Sequence, residues 1–224
     1  MSVITLKNIN KTFGTGTSKV EALKSVDFSA EKGEVSLVLG PSGSGKSTFL
    51  TIAGGLQSPT SGTVEIDGHS MDKLSSRKKE EVRLNKIGFV LQSYNLVPYL
   101  TVKEQFEFVD KVKKSGNLTE KELEELLDEL GISDFVNKYP SELSGGQAQR
   151  VSIARALYPD PAIVFADEPT AALDSPNVKI VGEMFHSEAK KRDKTIVIVT
   201  HDLRLQDYSD HIYEIMDGKM KLKN

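Results

Sequence analysis

Eight consecutive residues, 40–47, have the types and spacing needed to bind a phosphate group. They read Gly-Pro-Ser-Gly-Ser-Gly-Lys-Ser and match the pattern G-x-x-x-x-G-K-[S/T] at every fixed position. Glycines let successive backbone N–H groups turn towards an anion, Lys46 adds a positive charge, and the Ser47 hydroxyl is a ligand for Mg²⁺. An apolar run at 34–39 precedes the motif and a helical pattern at 46–53 follows it, so an ordinary glycine turn is the less favoured interpretation.

Three polar residues stand at the ends of two further apolar runs. Asp167 and Glu168 close the run Ile-Val-Phe-Ala-Asp-Glu, and His201 follows Thr-Ile-Val-Ile-Val-Thr directly. If both runs are strands of one parallel sheet, their side chains emerge at the carboxyl edge, where such sheets bind ligands. There Asp167 is suited to orient Mg²⁺ through water, and Glu168 to accept a proton from an attacking water. We expect His201 to sense a terminal phosphate, although a lone histidine would more often be structural.

A second glycine segment lies at residues 143–147, which read Leu-Ser-Gly-Gly-Gln and precede a helical pattern at 149–157. Ser144 is a typical N-cap, and two glycines would expose another set of backbone N–H groups at a helix start. In isolation the segment predicts only a capped helix with a glycine turn. Because it lacks the lysine and hydroxyl of the first motif, our hypothesis is that it closes over a nucleotide held by another copy.

Strands and helices predicted from the rest of the sequence would hold these residues in place. Runs at 3–6 and 64–66 predict an antiparallel flank, and 212–222 reads as a terminal hairpin. Residues 101–139 are charged and helical, with a capping box beginning at Thr119 and a stop at Gly131. With buried parallel strands at 34–39, 162–166 and 195–200, these patterns predict an α/β fold: a mostly parallel sheet, an N-terminal antiparallel β flank and a helical sub-lobe.

Composition excludes several classes of protein. At 224 residues the chain is long enough for one domain with a sub-lobe. Its 29 Lys and Arg against 32 Asp and Glu give a net charge of −3, without the basic excess expected of a nucleic-acid-binding protein. The absence of cysteine excludes a disulfide framework and thiolate metal sites. The sequence has neither an apolar run of membrane-spanning length nor a secretory pattern at its start, which favours the cytoplasm.

Together these motifs resemble those of the ATP-binding subunits of ABC transporters, over nearly the whole chain. Residues 40–47 resemble that family's Walker A motif, 143–147 its signature motif and 163–168 its Walker B motif. Gln92, which follows Gly-Phe-Val-Leu, resembles the glutamine of the Q-loop, and Ala-Leu-Asp at 172–174 resembles the D-loop. In this resemblance His201 is the switch histidine.

The resemblance implies a set of site residues and two cofactors, ATP and Mg²⁺. Phe13 occupies the place of an aromatic ring that stacks on adenine, with core packing as the alternative. The implied catalytic residues are Glu168, His201, Lys46 and Gln92, and the implied metal ligands are Ser47, Gln92 and Asp167. The implied nucleotide-binding residues are Phe13, Gly40, Pro41, Ser42, Gly43, Ser44, Gly45, Lys46, Ser47, Thr48, Ser144, Gly145, Gly146, Gln147 and Asp174.

The resemblance also implies how the chain is organised. Residues 1–224 would form a single ABC ATPase domain, with 1–92 and 158–224 as a P-loop NTPase core that includes the β flank. Residues 93–157 would form the helical sub-lobe that carries the signature motif. Two such subunits, either two copies of this chain or this chain with a second ATPase subunit, would enclose ATP between them head to tail.

The implied partner is a separate membrane permease, with this chain lying on the inner face of the cell membrane. The apolar loop 94–100 beside Gln92 is the expected docking surface, with partial core packing as the alternative. Residues 53–56, 59–62 and 87–101 look most like the lipoprotein-releasing and macrolide-efflux subgroup, which implies export or extraction of a substrate.

Ala148, Ala171 and Gln105 depart from the residues usual at these positions, and the helical sub-lobe is short. None of these departures touches the phosphate chemistry. Two other functions are alternatives to transport: a soluble ABC-type ATPase of translation or DNA repair, and a regulatory module that senses ATP.

Overall fold

The structure is a computed structural model that describes residues 2–223. The chain contains both strands and helices, as the predicted α/β class requires. In chain order they are β1 (Ser2–Phe13), β2 (Val20–Glu31), β3 (Val35–Leu39), α1 (Lys46–Ala53), β4 (Ser61–Ile66), β5 (His69–Ser70), α2 (Ser76–Lys86), β6 (Ile87–Val90), α3 (Val102–Val112), α4 (Glu120–Glu129), α5 (Gly145–Leu157), β7 (Ile163–Asp167), α6 (Ser175–Arg192), β8 (Thr195–Thr200), β9 (His211–Met216) and β10 (Lys219–Leu222).

The N-terminal flank is an antiparallel sheet with the strand order β2-β1-β4-β5. The flank predicted from runs 3–6 and 64–66 is confirmed, but β1 continues to Phe13 and its long partner β2 was not predicted. Register shifts interrupt the pairing of β1 with β2 at several points. Each shift breaks the period-two alternation of apolar and polar residues by which a sequence reveals a strand.

The main sheet has the order β10-β9-β3-β8-β7-β6. Its strands pair in parallel, except that β10 returns antiparallel to β9 in the predicted terminal hairpin. Strands β3, β7 and β8 are buried along their whole length. Alternate side chains enter two separate hydrophobic cores, Leu37 and Ile198 on one face of the sheet and Val38 and Val199 on the other. Buried on both faces, these strands hold their carboxyl ends in fixed positions.

Capping boxes begin the helices of the predicted helical region. The predicted box at α4 is confirmed, since Glu122 N donates to Thr119 Oγ1 at 3.3 Å and Thr119 N donates to Glu122 Oε2 at 2.8 Å. Gly131 follows the end of α4 with φ +61°, as expected for a helix stop. The division into a core and a sub-lobe at 93–157 remains a prediction. Within residues 2–223, none of the helices is both long and apolar enough to cross a bilayer.

Candidate active site

The loop between β3 and α1 is shaped by glycines at its two ends. A Cβ atom on Gly40 would lie 2.3 Å from the carbonyl oxygen of Ile215. One on Gly45 would lie 2.6 Å from the carbonyl oxygen of Ala22, and Gly45 also has φ +108°. Larger residues are therefore excluded from both ends of the loop. Helix α1 begins at Lys46 directly after the loop, so the free N–H groups of its first turn face the place where an anion would bind.

Lys46 is folded back onto this loop. Its Nζ donates to the carbonyl oxygen of Gly40 at 2.7 Å and to that of Pro41 at 3.0 Å. The same atom lies 3.6 Å from Oε1 of Glu168, and both side chains are about nine-tenths buried. A buried ammonium group in this position can exchange its carbonyl partners for phosphate oxygens without moving far.

Asp167, the last residue of β7, is buried beside the loop. Burial raises the pKa of its carboxyl group, and the negative charge of Glu168 adds to this effect, while a hydrogen bond from Ser47 opposes it. Among the residues that the structure describes, Oδ1 of Asp167 has no hydrogen-bond partner. A buried carboxylate oxygen without a partner is costly, and a cation bound at this oxygen would offset that cost.

Glu168 follows β7 in a left-handed backbone conformation, with φ +49°. Such a conformation costs a glutamate about 1 to 3 kcal/mol, and a hydrogen bond from Glu168 N to the carbonyl oxygen of Val199 at 2.9 Å stabilises it. Thr200 Oγ1 donates to the carboxylate at 2.7 Å, and Nδ1 of His201 lies 3.0 Å from it. Burial would raise the pKa of Glu168, but these hydrogen bonds, with the charges of His201 and Lys46, hold the pKa below its ordinary value.

The parallel pairing of β7 with β8 brings His201 to Glu168 across 33 positions of sequence. Asp167 is in register with Val199. Glu168, which follows β7, and His201, which follows β8, therefore lie next to each other at the carboxyl edge of the sheet. The His201 side chain is 71% exposed. The imidazole is therefore free to turn towards a ligand.

Lys46, Glu168 and His201 line a cleft of about 530 Å³ at the carboxyl edge of the main sheet. Most of the predicted loop and catalytic residues contribute to its wall. The predicted residues that line it are Pro41, Ser42, Gly43, Gly45, Lys46, Ser47, Thr48, Gln92, Glu168 and His201, and two others, Ala22 and Ala171, were not predicted. The volume and the lining suit a polyphosphate.

The remaining predicted residues do not line this cleft. Phe13 is 40% exposed, which excludes core packing, and Nζ of Lys11 lies 5.1 Å from the centre of its ring. Ser144 caps α5 as predicted, with Gln147 N donating to Ser144 Oγ at 3.2 Å. Asp174 caps α6. The others are Gly40, Ser44, Gly145, Gly146 and Asp167, of which Gly40, Ser44 and Asp167 lie in or beside the phosphate loop.

The loop that follows Gln92 is held by two residues to which the sequence analysis gave no role in the site. Gln105 is buried, and its amide makes hydrogen bonds to Val97 N at 3.0 Å, Val97 O at 2.8 Å and Leu100 O at 3.1 Å. Arg155, near the end of α5, donates to Asn95 O at 2.7 Å and to the neighbouring carbonyl of residue 94 at 3.0 Å. A polar residue on the apolar face of α3 was the available signal for Gln105.

The comparisons with known proteins agree with this geometry. Residues 23–171 match the protein family described as ABC transporter. The putative hemin import ATP-binding protein HrtA of Staphylococcus haemolyticus is 45% identical over 223 residues, covering 97% of this chain and 98% of that protein. The protein of the same name from Staphylococcus aureus strain MRSA252 is 43% identical over 219 residues, with the same coverage.

Two solved structures have nearly the same fold. The dimeric structure of MJ0796, a bacterial ABC transporter cassette, aligns with a TM-score of 0.89 and 39% identity, covering 99% of this chain and 97% of that one. The dimeric MJ0796 cassette in a post-hydrolysis state, bound to ADP and Pi, aligns with a TM-score of 0.88 and 38% identity, covering 99% of each chain. The chain therefore belongs to the ABC transporter family, in which it is an ATP-binding subunit and an ATPase.

Proposed function

We propose that this chain hydrolyses ATP in a closed head-to-tail dimer and thereby drives a separate membrane permease. The observation that carries the proposal is the group formed by Lys46, Glu168 and His201 at one wall of the cleft. It combines an ammonium group at a phosphate loop, a carboxylate whose pKa is lowered, and an exposed imidazole. Lys46 Nζ lies 3.6 Å and His201 Nδ1 lies 3.0 Å from the Glu168 carboxylate. This is the set of groups that attack by water on a terminal phosphate requires.

In the proposed reaction the triphosphate of ATP lies along the glycine loop. Lys46 gives up the carbonyl oxygens of residues 40 and 41 and binds oxygens of the β- and γ-phosphates. Glu168, ionised at neutral pH, accepts a proton from a water that attacks the γ-phosphorus in line with the bond to ADP. That bond breaks, ADP and inorganic phosphate are the products, and His201 donates to a γ-phosphate oxygen as negative charge builds up.

Ser47, Asp167 and Gln92 are proposed to hold Mg²⁺. Their hydroxyl, carboxylate and amide oxygens are ligands that this ion prefers, and the unpartnered Oδ1 of Asp167 supports the assignment. In residues 2–223, no three His, Asp or Glu side chains come together as a metal-binding group. A Mg²⁺ ion held by these residues would supply charge neutralisation for the phosphates of ATP.

The dimer is proposed because the second glycine segment does not face the cleft of its own chain. Ser144, Gly145, Gly146 and Gln147 lie outside the cleft wall. The N–H groups of Ser144 and Gln147 are used within the capping box of α5, so those of Gly145 and Gly146 are the helix-start donors that suit a nucleotide bound by another subunit. The two MJ0796 cassettes are dimeric, which supports a dimer for this chain. In it Phe13 stacks on adenine and Asp174 lies at the junction of the subunits.

The permease is proposed to dock on loop 94–100, on the cytoplasmic face of the membrane. Tyr99 in this loop is 86% exposed, whereas Leu96 packs against the hydrophobic core. The loop is therefore anchored on one side and free on the other, which suits a docking surface beside Gln92. Purification of the tagged chain from detergent-solubilised membranes tests this, with co-purification of a multi-span membrane protein as the expected result. Recovery of ribosomes or DNA instead would favour a non-transport ATPase.

Hemin or a related tetrapyrrole is the proposed cargo of the assembled transporter. The proposal is supported by relatives 42–45% identical over 97% of this chain whose names include hemin import. We propose export or extraction as the direction, from the subgroup resemblance, whereas those names give import. Cell-associated hemin in a strain lacking the gene decides between the two, because loss of an exporter raises it and loss of an importer lowers it. No change in hemin or in hemin sensitivity contradicts the cargo.

Glu168→Gln tests the proposed chemistry. We expect it to retain ATP binding, to lower kcat about 10²- to 10⁴-fold, and to accumulate an ATP-bound dimer, because the amide cannot accept the proton of water. Steady-state phosphate release and size-exclusion chromatography with ATP measure the two effects. Glu183→Gln, an exposed position on α6, is the matched control and should turn over at the parental rate. Turnover by Glu168→Gln within about threefold of the parent would falsify the role of Glu168.

A further inference from the structure

Thr200, the last residue of β8, is fully buried against the carboxylate of Glu168. Its Oγ1 donates to Glu168 Oε2 at 2.7 Å. The same oxygen accepts a hydrogen bond from Asp202 N at 3.0 Å. Because the backbone N–H occupies one side of the hydroxyl oxygen, the hydroxyl proton is directed towards the carboxylate. The sequence predicts only that this residue ends a strand.

The other side-chain partners of Glu168 are groups that ATP would draw away. Lys46 Nζ lies 3.6 Å and His201 Nδ1 lies 3.0 Å from the carboxylate, and both side chains line the cleft. The proposed function turns both towards the γ-phosphate. Thr200 cannot follow, because it belongs to a strand that is buried along its length and paired on both sides, with β3 and β7.

The turn after Thr200 is itself tied to the segment that follows Glu168. Oδ2 of Asp202 accepts from Thr170 Oγ1 at 2.8 Å and from Arg204 Nη2 at 2.8 Å, while Oδ1 accepts from Arg204 Nε at 2.8 Å. Thr170 stands two residues after Glu168 in the chain. The two strand ends are therefore fastened to each other on both sides of the carboxylate, which limits the movement of Glu168 relative to Thr200.

We infer that Thr200 is a positioning residue for hydrolysis: its hydroxyl holds the Glu168 carboxylate in place once Lys46 and His201 have turned to the nucleotide. The inference rests on the proposed function, in which Glu168 orients the attacking water. A carboxylate held at one oxygen by a fixed donor keeps its other oxygen aimed at the water. Without that donor, only the longer contact from His201 N at 3.4 Å remains at Oε2, so the carboxylate samples orientations in which the water is not in line with the γ-phosphorus, and turnover suffers.

Paired substitutions separate this role from simple filling of a buried space. Thr200→Val keeps the β-branched shape of the strand residue and removes the hydroxyl. Thr200→Ser and Thr200→Ala both lose the methyl group and differ from each other chiefly in the hydroxyl. If the hydroxyl matters, valine and alanine form one class and threonine and serine form the other. If packing alone matters, serine falls with alanine and valine stays with threonine.

Steady-state ATPase assays of these variants, with the full chain and Mg·ATP, are the test. We expect Thr200→Val and Thr200→Ala to lower kcat roughly 10- to 100-fold, the range for a hydrogen bond to a charged group. KM for ATP should stay within about twofold, because Thr200 does not contact the nucleotide. Thr200→Ser should keep kcat within about threefold of the parent. Parental kcat in Thr200→Ala, or equal losses in the serine and alanine variants, would overturn the inference.

A double-variant cycle separates failure of this inference from failure of the proposed function. In a Glu168→Gln background, Thr200→Val should change the residual rate by less than about twofold, because its effect acts through the carboxylate. A full additional loss in that background would overturn the positioning role. Near-parental turnover by Glu168→Gln alone would instead refute the proposed function. Fluorescent-nucleotide binding by every variant verifies that the folded cleft is intact.

Discussion

Replacement of Gln105 by leucine should release the loop that we propose as the permease docking surface. The Gln105 side chain is 1% exposed, and it supplies three hydrogen bonds to the backbone of Val97 and Leu100. Leucine has a similar volume and fits the apolar face of α3, but it can make none of these bonds. The substitution therefore removes the attachment of the loop without opening a large cavity.

The size of the effect follows from the number of bonds lost. At a net value of about 0.5–1.5 kcal/mol each, three hydrogen bonds contribute about 1.5–4.5 kcal/mol to the free energy of opening the loop. Arg155 still holds the carbonyl oxygens of residues 94 and 95, which favours the lower half of this range. The open population should therefore rise roughly 10- to 100-fold, at about 1.4 kcal/mol for each factor of ten.

Limited digestion with chymotrypsin measures this population, because cleavage after Tyr99 requires the loop to open locally. Tyr99 is 86% exposed, so opening of the backbone rather than access to the side chain should limit the rate. We expect cleavage at Tyr99 to accelerate roughly 10- to 100-fold in Gln105→Leu. Glu107→Leu, an exposed position on the same helix, is the matched control and should stay within about twofold of the parent.

Two results would refute this reasoning. Cleavage of Gln105→Leu at the parental rate would mean that the three bonds do not determine the stability of the loop. A fall in the urea midpoint large enough to account for the faster cleavage would mean that Gln105 stabilises the whole domain rather than the loop. Urea unfolding of the variant, followed by circular dichroism, distinguishes the local from the global effect.

Three further substitutions test other parts of the structure. Ser144→Arg should abolish the ATP-dependent dimer seen by sedimentation while leaving the nucleotide affinity of the monomer nearly unchanged; dimers that persist with ATP contradict the composite site. Gly88→Ala places a Cβ 2.5 Å from the carbonyl oxygen of Ala156 and should lower the free energy of unfolding by about 1–3 kcal/mol, so an unchanged urea midpoint counts against the packing. Burial, aided by hydrogen bonds to Asp110, raises the pKa of Tyr158 to about 12. The protonated Tyr158 therefore stabilises the fold fully below the ordinary pKa of 10.0, and this contribution is lost as pH rises towards 12. Tyr158→Phe should reduce the fall in the free energy of unfolding between these pH values, measured by urea unfolding. The same fall in parent and variant would exclude Tyr158 as its source.

Features that depend on neighbouring residues could be predicted from the amino-acid sequence. The helix predicted at 46–53, directly after the glycine motif, is confirmed, and α1 has the predicted bounds. The capping box at Thr119, the strand at 195–200 and the terminal hairpin were also predicted from local patterns. Each rests on short-range physics: backbone freedom, a side chain that bonds three residues ahead, or the periodicity of burial.

Which of these features lie in contact depends on the tertiary structure. The lateral order of the strands brings Glu168 beside His201, and the left-handed turn at Glu168 aims its carboxylate at Thr200. Likewise, the sequence patterns did not predict strand β2 or the hydrogen bonds of Gln105. The physical reason is distance along the chain: a hydrogen bond between residues 168 and 200 depends on strand pairing and register, and no spacing within either segment specifies them.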